Sequence, residues 1–230
     1  MVFSAPKGFS LDKQELCNDP LARRANDSLA RHTYPHPMLL VVSGPSGVGK
    51  DSVVRGLLAS AHPFHFVVTM TDRAPRLGEV HGRDYCFVST PRFEAMIARG
   101  EFLEYARVYN QYKGVPKVGA QRALESGIDV LMRLDVQGAA TIRQLAPQAV
   151  TVFIAPDSIE VLYDRLCRRP GDSNEQRRDR LQGALHEMER IQEFDYIVVN
   201  REGHLAEAVA QVLAIVTAEK SRTGREPVRL

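Results

Sequence analysis

The stretch GPSGVGKDS, residues 44–52, restricts the fold of this chain more than any other segment. It follows MLLVVS (38–43), an apolar run of strand length, and precedes a segment whose apolar residues recur at helical spacing. Gly44, Gly49 and Lys50 hold the fixed positions of the phosphate-binding pattern G-x-x-x-x-G-K-[ST]. Because strand, glycine loop and helix follow in the order that this pattern requires, the sequence predicts a P-loop.

The phosphate chemistry of such a loop comes largely from its backbone. Glycines allow successive N–H groups to point at phosphate oxygens, and the following helix adds the positive end of its dipole. Lys50 supplies a full positive charge to the β- and γ-phosphates. Asp51 departs from the pattern, because a Ser or Thr hydroxyl normally reaches the magnesium ion from this position.

Apolar and amphipathic segments alternate along residues 38–222. Apolar or alternating runs predict strands at 65–70, 102–108, 129–135, 149–156 and 195–200. Helical spacing predicts helices at 89–100, 116–127, 138–146, 158–169 and 174–194, and a closing helix with Leu205, Val209, Val212 and Val216 on one stripe. Strands that alternate with helices are typical of a parallel sheet covered on both faces, so we expect an α/β fold.

The composition excludes several classes of function. The 230 residues are 44% hydrophobic and 25% charged, as in ordinary globular proteins, and the formal charge of +2 is too small for a general nucleic-acid binder. Cys17, Cys86 and Cys167 are far apart, which favours free thiols in a reducing compartment. Without a secretory signal or an apolar run of membrane length, we expect a cytoplasmic protein, or an organellar one if the source is eukaryotic, with no membrane partner.

Residues 1–37 show no sustained periodicity, although LARRANDSLARH (21–32) indicates a short helix. Pro35 and Pro37 separate this part from the alternating segments that follow. We interpret it as an N-terminal extension and assign it no function.

An aspartate ends one of the predicted buried strands. Asp135 closes the run LMRLD and stands before Gly138, at the opening of a predicted helix. P-loop enzymes hold magnesium or its waters with an acidic residue at the tip of a neighbouring strand. The alternative is that Asp135 serves only as a helix N-cap or turn residue.

Two arginines stand three residues apart in the polar segment TDRAPR. Arg73 and Arg76 can present two guanidinium forks to one phosphate group, the geometry for which arginine is suited. The alternative is a structural Arg–Glu pair, since Glu79 lies close by in the sequence.

Taken together, these segments resemble the guanylate kinase family from about residue 38 to residue 221. The resemblance is carried by GPSGVGK (44–50), TDRAPRLGEVHGRDYCFV (71–88), EFLEYA (101–106), LDVQGA (134–139), the arginines of LYDRLCRR and RRDRL, and FDYIVVN (194–200). It implies a P-loop kinase with a parallel-sheet core flanked by helices, a GMP-binding insertion at about 70–120 and a helical lid at about 160–180. The kinase domain would then span 38–222, followed by a C-terminal tail at 223–230.

The same resemblance implies the reaction ATP plus GMP giving ADP plus GDP, with Mg²⁺, and dGMP as a further acceptor. It implies ATP-binding residues Gly44, Pro45, Ser46, Gly47, Val48, Gly49, Lys50, Asp51 and Ser52. It implies GMP-binding residues Thr69, Arg73, Arg76, Tyr85, Glu104, Lys113 and Asp135. It implies catalytic roles for Lys50, Arg165, Arg169 and Arg180, and magnesium contacts, direct or through water, for Asp51 and Asp135.

Glu104 is the residue that would identify the base. Guanine presents an N1–H and an N2 amino group side by side, and one carboxylate can accept a hydrogen bond from each. Adenine lacks this pair of donors, so binding it would leave the carboxylate unpaired, which is costly. Judged without the family resemblance, Glu104 would be interpreted as a carboxylate on a strand surface.

Four positions depart from the family pattern and resemble the plant organelle-type branch instead. Asp51 replaces a Ser or Thr, Lys113 a Tyr, Val115 a Ser or Thr, and Arg133 the first acid of a D-x-D pattern. We hypothesise that Asp51 positions the metal and pairs with Arg133. The alternative is that Asp51 is an acid favoured at a helix N-terminus, without a catalytic part.

Two other functions are compatible with parts of this pattern. One is a non-catalytic guanylate-kinase-like module that binds peptides, and the other is a P-loop kinase of another phosphorylated small molecule, such as a ribose bisphosphate. The intact phosphate loop argues against the first, and the long arginine motif with a downstream Glu104 argues against the second. We expect a monomer or a homodimer.

Overall fold

A computed structural model of the chain describes residues 19–33, 36–76, 78–108, 111–168 and 174–230. The chain divides into two compact units, residues 1–36 and residues 37–230. The first contains one described helix, which confirms the predicted short helix. Asp19 accepts a hydrogen bond from the backbone N–H of Leu21 in its first turn, at 2.7 Å.

Eight helices, nine strands and one 3₁₀ turn are present in the described ranges. In chain order they are α1 (Pro20–Thr33), β1 (Leu39–Ser43), α2 (Lys50–Leu58), β2 (Phe64–Phe66), β3 (Met70–Thr71), β4 (Cys86–Phe87), α3 (Thr90–Ala98), β5 (Phe102–Val108), β6 (Gln111–Pro116), α4 (Lys117–Glu125), β7 (Asp129–Arg133), α5 (Val136–Leu145), β8 (Val150–Pro156), α6 (Ile159–Cys167), α7 (Asn174–Glu189), the 3₁₀ turn (Arg190–Glu193), β9 (Tyr196–Asn200) and α8 (Leu205–Lys220). Within these ranges no helix is long and apolar enough to cross a membrane.

The core is a five-stranded parallel sheet in the order β2-β7-β1-β8-β9. Every residue of β1 is buried, and alternate side chains enter two separate cores. Leu40 and Val42 belong to one core, and Leu39 and Val41 to the other. Because both faces are covered, the predicted α/β fold with a parallel sheet is confirmed.

A second sheet of four strands, in the order β4-β3-β6-β5, lies between residues 70 and 116. The sequence predicts one strand at 65–70, and this prediction is wrong. Val67 still donates its N–H to Leu131 of the first sheet, but the carbonyl of Thr69 accepts from Cys86 in the second. The run 65–70 therefore begins in β2 of the first sheet and ends in β3 of the second sheet.

The helices near the C-terminus differ from prediction in detail. The predicted helix at 174–194 is α-helical as far as Glu189 and closes as a 3₁₀ turn. In α8, Val212 and Val216 are buried as predicted, but Ala208 joins them where Leu205 was expected. Leu205 is 37% exposed because it opens the helix beyond the edge of the core.

The amino ends of the strands are joined by a buried carboxylate. Asp129, at the start of β7, accepts hydrogen bonds from the N–H of Met38 (2.8 Å), from His62 (2.7 Å) and from the ammonium of Lys220 (2.6 Å). These hydrogen bonds connect the segments at the amino-terminal edge of the sheet. The carboxyl ends of the strands lie at the opposite edge, where Ser43 leads into the glycine loop.

Candidate active site

The glycine loop is packed directly against the ends of two neighbouring strands. Gly44 has φ 136°, and a Cβ there would lie 2.2 Å from the carbonyl oxygen of Ile154 in β8. Gly49 has φ 96°, and a Cβ there would lie 2.6 Å from Nδ2 of Asn200 in β9. Only glycine fits either position, because both the backbone angles and the space exclude a side chain.

Lys50 begins α2 and bends back over the loop. Its ammonium donates to the carbonyl oxygens of Gly44 (2.5 Å) and Pro45 (3.0 Å). Burial lowers the pKa of Lys50, and the carboxylates of Glu187, Asp51 and Asp135 oppose this shift. The charges of these three carboxylates therefore favour the protonated, positively charged form of Lys50.

A carboxylate also lies in the loop itself. The N–H of Ser46 donates to Oε2 of Glu187, which projects from α7, at 2.9 Å. Burial raises the pKa of Glu187, while the nearby Lys50 opposes the shift. Sequence reasoning missed Glu187, because α7 is so rich in charge that no single acid in it stands out.

Asn200 and Arg165 converge on one carbonyl group of the loop. The carbonyl of Val48 accepts from Nδ2 of Asn200 (2.8 Å) and from Nη1 of Arg165 (3.0 Å). Arg165 also donates to the carbonyl of Asn200 (3.0 Å) and pairs with Glu202 (2.9 Å). No role for Asn200 is predicted from the sequence. Its position as a polar residue at the end of an apolar strand could have indicated a contact with the loop.

Two other arginines of the proposed lid, Arg168 and Arg180, lie among the described residues. Arg168 pairs with Glu202 at 3.1 Å, and its side chain is 68% exposed. Arg180 is half-buried on α7. Arg169 lies outside the described residues. Ser158 caps the helix that carries Arg165, and its side chain accepts a hydrogen bond from the N–H of Val161.

Asp51 and Arg133 form an ion pair at 2.5 Å, so the predicted pairing of these two residues is confirmed. The Arg133 side chain is only 10% exposed, whereas that of Asp51 is 61% exposed. Arg133 is the last residue of β7, and Asp51 lies in the first turn of α2.

The acids near the loop fit a partial magnesium site. Asp51 keeps an exposed carboxylate, and Asp135 uses Oδ1 to accept the N–H of Gly138 at 2.8 Å, which caps α5. Across the described ranges, no three His, Cys, Asp or Glu side chains cluster in a way that could hold a metal ion. Mg²⁺ in kinases is held by one or two carboxylates together with substrate phosphates and water, so this donor set is suitable for it.

Arg73 and Arg76 are arranged around Glu79. Arg73 makes two hydrogen bonds to its carboxylate, both at 2.6 Å, and the N–H of Arg76 donates to it at 2.8 Å. These bonds hold the pKa of Glu79 below its usual range. The Cζ of Arg73 also lies 4.8 Å from the ring centroid of Tyr85, while the Arg76 residue is exposed. The Arg–Glu pair foreseen as the structural alternative is therefore present for Arg73.

Glu104 lies on β5 directly opposite the buried Val115 of β6. Burial, and secondarily the charge of Asp135, raise the pKa of Glu104 to about 7, while Lys113 opposes the shift. A Cβ at Gly138, in the first turn of α5, would lie 3.3 Å from the carboxyl carbon. A poorly solvated carboxylate thus lies against the first turn of α5, the helix that follows β7. The buried Thr69 lies in the connection that leads into the same second sheet.

Comparison with known proteins agrees with this geometry. A family model described as guanylate kinase matches residues 36–219. The chain is 46% identical over 197 residues to guanylate kinase 2, chloroplastic/mitochondrial, of Oryza sativa subsp. japonica, covering 85% of this chain and 69% of that protein. It is 44% identical over 187 residues to a guanylate kinase of Thermus thermophilus, covering 81% and 82% respectively.

A solved structure shows the same fold. The crystal structure of guanylate kinase from Anaplasma phagocytophilum matches with a TM-score of 0.66 and 30% sequence identity, over 83% of this chain and 89% of that one. The rice relative also confirms the resemblance to the plant organelle-type branch. With the phosphate loop and the half-buried Glu104 in view, these matches show that the chain belongs to the guanylate kinase family.

Proposed function

We propose that this protein transfers the γ-phosphoryl group of ATP to GMP, giving ADP and GDP. A phosphate oxygen of GMP attacks the γ-phosphorus, and the bond from that phosphorus to the β-phosphate oxygen breaks. The observation that carries the proposal is the position of Glu104. Its poorly solvated carboxylate lies against the first turn of α5, at the sheet edge that holds the phosphate loop.

On the donor side, residues 44–52 bind the phosphates of ATP through the N–H groups of the loop and through Lys50. Asn200 and Arg165 both donate to the carbonyl of Val48, and these hydrogen bonds restrict the conformation of the loop. Asp51 and Asp135 would hold Mg²⁺, directly or through water, and the ion would neutralise charge on the β- and γ-phosphates.

On the acceptor side, the second sheet and α3 form the proposed GMP-binding insertion, at about 70–120. Arg73, Arg76, Tyr85 and Lys113 bind the phosphate of GMP. Arg73 has five N–H donors, so it can keep its bonds to Glu79 and still reach a phosphate oxygen.

The base is read by Glu104, with Thr69 and Asp135 beside it. Ionised Glu104 accepts the N1–H and the N2 amino group of guanine. Since neither contact involves the ribose, we propose that dGMP is also an acceptor.

The transferring group is stabilised by arginines of the proposed lid, at about 160–180. Phosphoryl transfer spreads negative charge over the equatorial oxygens, and guanidinium groups stabilise that charge best when water is excluded. We assign this role to Arg165 and Arg180, and by resemblance to Arg169. Arg165 already contacts the phosphate loop through the carbonyl of Val48.

A coupled assay of ADP formation tests the proposal, with GMP, dGMP, AMP and ribose bisphosphate offered as acceptors at millimolar Mg²⁺. We expect turnover with GMP and dGMP and very little with the other two. Glu104→Gln should lose activity with GMP, while its binding of ATP stays unchanged. No turnover with any acceptor would support the peptide-binding alternative, and turnover with ribose bisphosphate alone would support the other kinase.

A further inference from the structure

Arg133 contacts both sides of the site at once. Its Nη1 donates to Asp51 at 2.5 Å, in the first turn of the helix that follows the phosphate loop. Its Nη2 donates to the backbone carbonyl of Asp84 at 3.2 Å, in the segment between β3 and β4. One guanidinium group therefore joins the ATP side to the GMP side.

The contact continues through an aromatic ring. The Cζ of Arg133 lies 5.1 Å from the ring centroid of Tyr85, and the Cζ of Arg73 lies 4.8 Å from the same centroid. Both distances are within the range of a cation–π interaction. A continuous series of contacts thus runs from Asp51 through Arg133, Tyr85 and Arg73 to Glu79.

The charges in this series depend on one another. Arg133 is almost fully buried, and Asp51 is the carboxylate with which it pairs directly. Because the Arg133 side chain is only 10% exposed, replacing Asp51 by a neutral residue would leave a largely buried cation without its carboxylate partner, which destabilises the arrangement. The two substitutions also belong together in the sequence, since the family pattern has a hydroxyl residue at position 51 and an acid at position 133.

We propose that Arg133 is a positioning residue that couples the ATP subsite to the GMP subsite. This proposal rests on the proposed function. ATP and its Mg²⁺ act on Asp51, and the phosphate of GMP acts on Arg73 and Tyr85, so each nucleotide alters a group that contacts Arg133. By thermodynamic linkage, each nucleotide then changes the affinity of the other by the same factor.

Isothermal titration of GMP tests this coupling, with and without a saturating non-hydrolysable ATP analogue and Mg²⁺. For the unmodified protein we expect the analogue to change the Kd of GMP by about tenfold, in the usual range for coupled sites. Arg133→Met should reduce the change to less than about twofold, and Arg133→Lys should give an intermediate value because the fork is lost.

Two further variants keep the test decisive. Asp51→Asn changes an exposed side chain, so it should fold even where Arg133→Met does not, and it should also weaken the coupling. Arg143→Met is the matched control, because Arg143 pairs with Asp195 at the opposite edge of the sheet at 3.1 Å. It should leave the coupling unchanged.

Normal coupling in both Arg133→Met and Asp51→Asn would overturn the inference, as would an equal loss in Arg143→Met. If the unmodified protein fails to bind GMP at all, the proposed function itself is wrong. GMP binding with a coupling that these substitutions do not alter would refute only the role of Arg133.

Discussion

The carboxylate of Glu104 lies so close to Gly138 that a larger residue at position 138 would displace it. A Cβ on residue 138 would be 3.3 Å from both Cδ and Oε1 of Glu104, closer than most real contacts of this kind. The N–H of Gly138 also donates to the carboxylate of Asp135, which fixes the first turn of α5. The glycine therefore leaves the space in which the base-reading carboxylate lies.

Gly138→Ala should accordingly weaken GMP binding without weakening the fold. The added methyl group displaces Glu104 by a few tenths of an ångström, and we expect the KM for GMP to rise about tenfold while the KM for ATP stays constant. Stability should stay level or rise by up to about 1 kcal/mol, since alanine favours a helix over glycine. Steady-state kinetics and thermal unfolding measure the two effects.

Gly183→Ala is the matched control for this substitution. It changes another helical glycine, on α7, where an added Cβ would meet nothing within 4 Å. The control should gain stability and keep both KM values. An unchanged KM for GMP in Gly138→Ala would show that Glu104 does not depend on this space.

The raised pKa of Glu104 predicts a cost in stability that appears as the pH increases. The carboxyl ionises near pH 4.5 in the unfolded chain but at about 7 in the folded one. The folded state therefore holds more protons between these values, and its free energy of unfolding falls with rising pH by up to about 3 kcal/mol. Glu104→Gln removes this loss. The free energy of unfolding of the variant, relative to that of the unmodified protein, should therefore be higher at pH 8 than at pH 5. Urea unfolding at both pH values measures the difference, and an equal advantage at both would contradict the prediction.

The same ionisation should control GMP binding in the opposite direction. Only the ionised carboxylate can accept both guanine donors, so the affinity for GMP should rise as the pH increases through about 7 and level off above it. The phosphate of GMP titrates near pH 6 as well. Glu104→Gln, titrated in parallel by calorimetry, isolates that contribution, and an identical pH profile in both proteins would exclude Glu104 as the base reader.

The phosphate loop could be predicted from sequence because its function restricts each position. Gly44 and Gly49 are required by backbone angles and by contacts with other strands, and those requirements appear directly as residue types. The Asp51–Arg133 pair could likewise be predicted. Both residues depart from the family pattern, they carry opposite charges, and they lie near the carboxyl ends of the neighbouring strands β1 and β7. In both cases the physical constraint acts on the identity of the residue.

Other features could not be predicted because they arise from distant contacts. The run 65–70 looks like one strand, and only the partners of Val67 and Thr69 divide it between two sheets. The contact of Glu187 with the loop joins residues 141 positions apart. The raised pKa of Glu104 is caused mainly by burial, and the sequence of its own strand does not show which distant segments cover it.

Asn200 should be essential to the shape of the phosphate loop. Its Nδ2 donates to the carbonyl of Val48 at 2.8 Å, and the residue is buried. Asn200→Ala should cost about 1–3 kcal/mol of stability and raise the KM for ATP, because the carbonyl loses a buried donor. Asn200→Asp should lower the free energy of unfolding further at pH 8, because it places a negatively charged carboxylate next to the carbonyl oxygen of Val48. Urea unfolding and ATP kinetics test this order, which would be contradicted if the Asp variant were as stable as the unmodified protein.

Glu187 should compete with ATP for the phosphate loop. Its carboxylate accepts the N–H of Ser46, a donor of the kind that a phosphate oxygen uses, and it lies close enough to Lys50 for each to affect the pKa of the other. Glu187→Gln keeps the size and an acceptor oxygen but removes the negative charge, so the Kd of ATP should fall by up to about tenfold, or about 1.4 kcal/mol. Glu189→Gln, an exposed acid two residues further along the same helix, is the control and should leave the Kd unchanged. Calorimetric titration of ATP measures both, and weaker binding in Glu187→Gln would mean that the carboxylate organises the loop for ATP instead of competing with it.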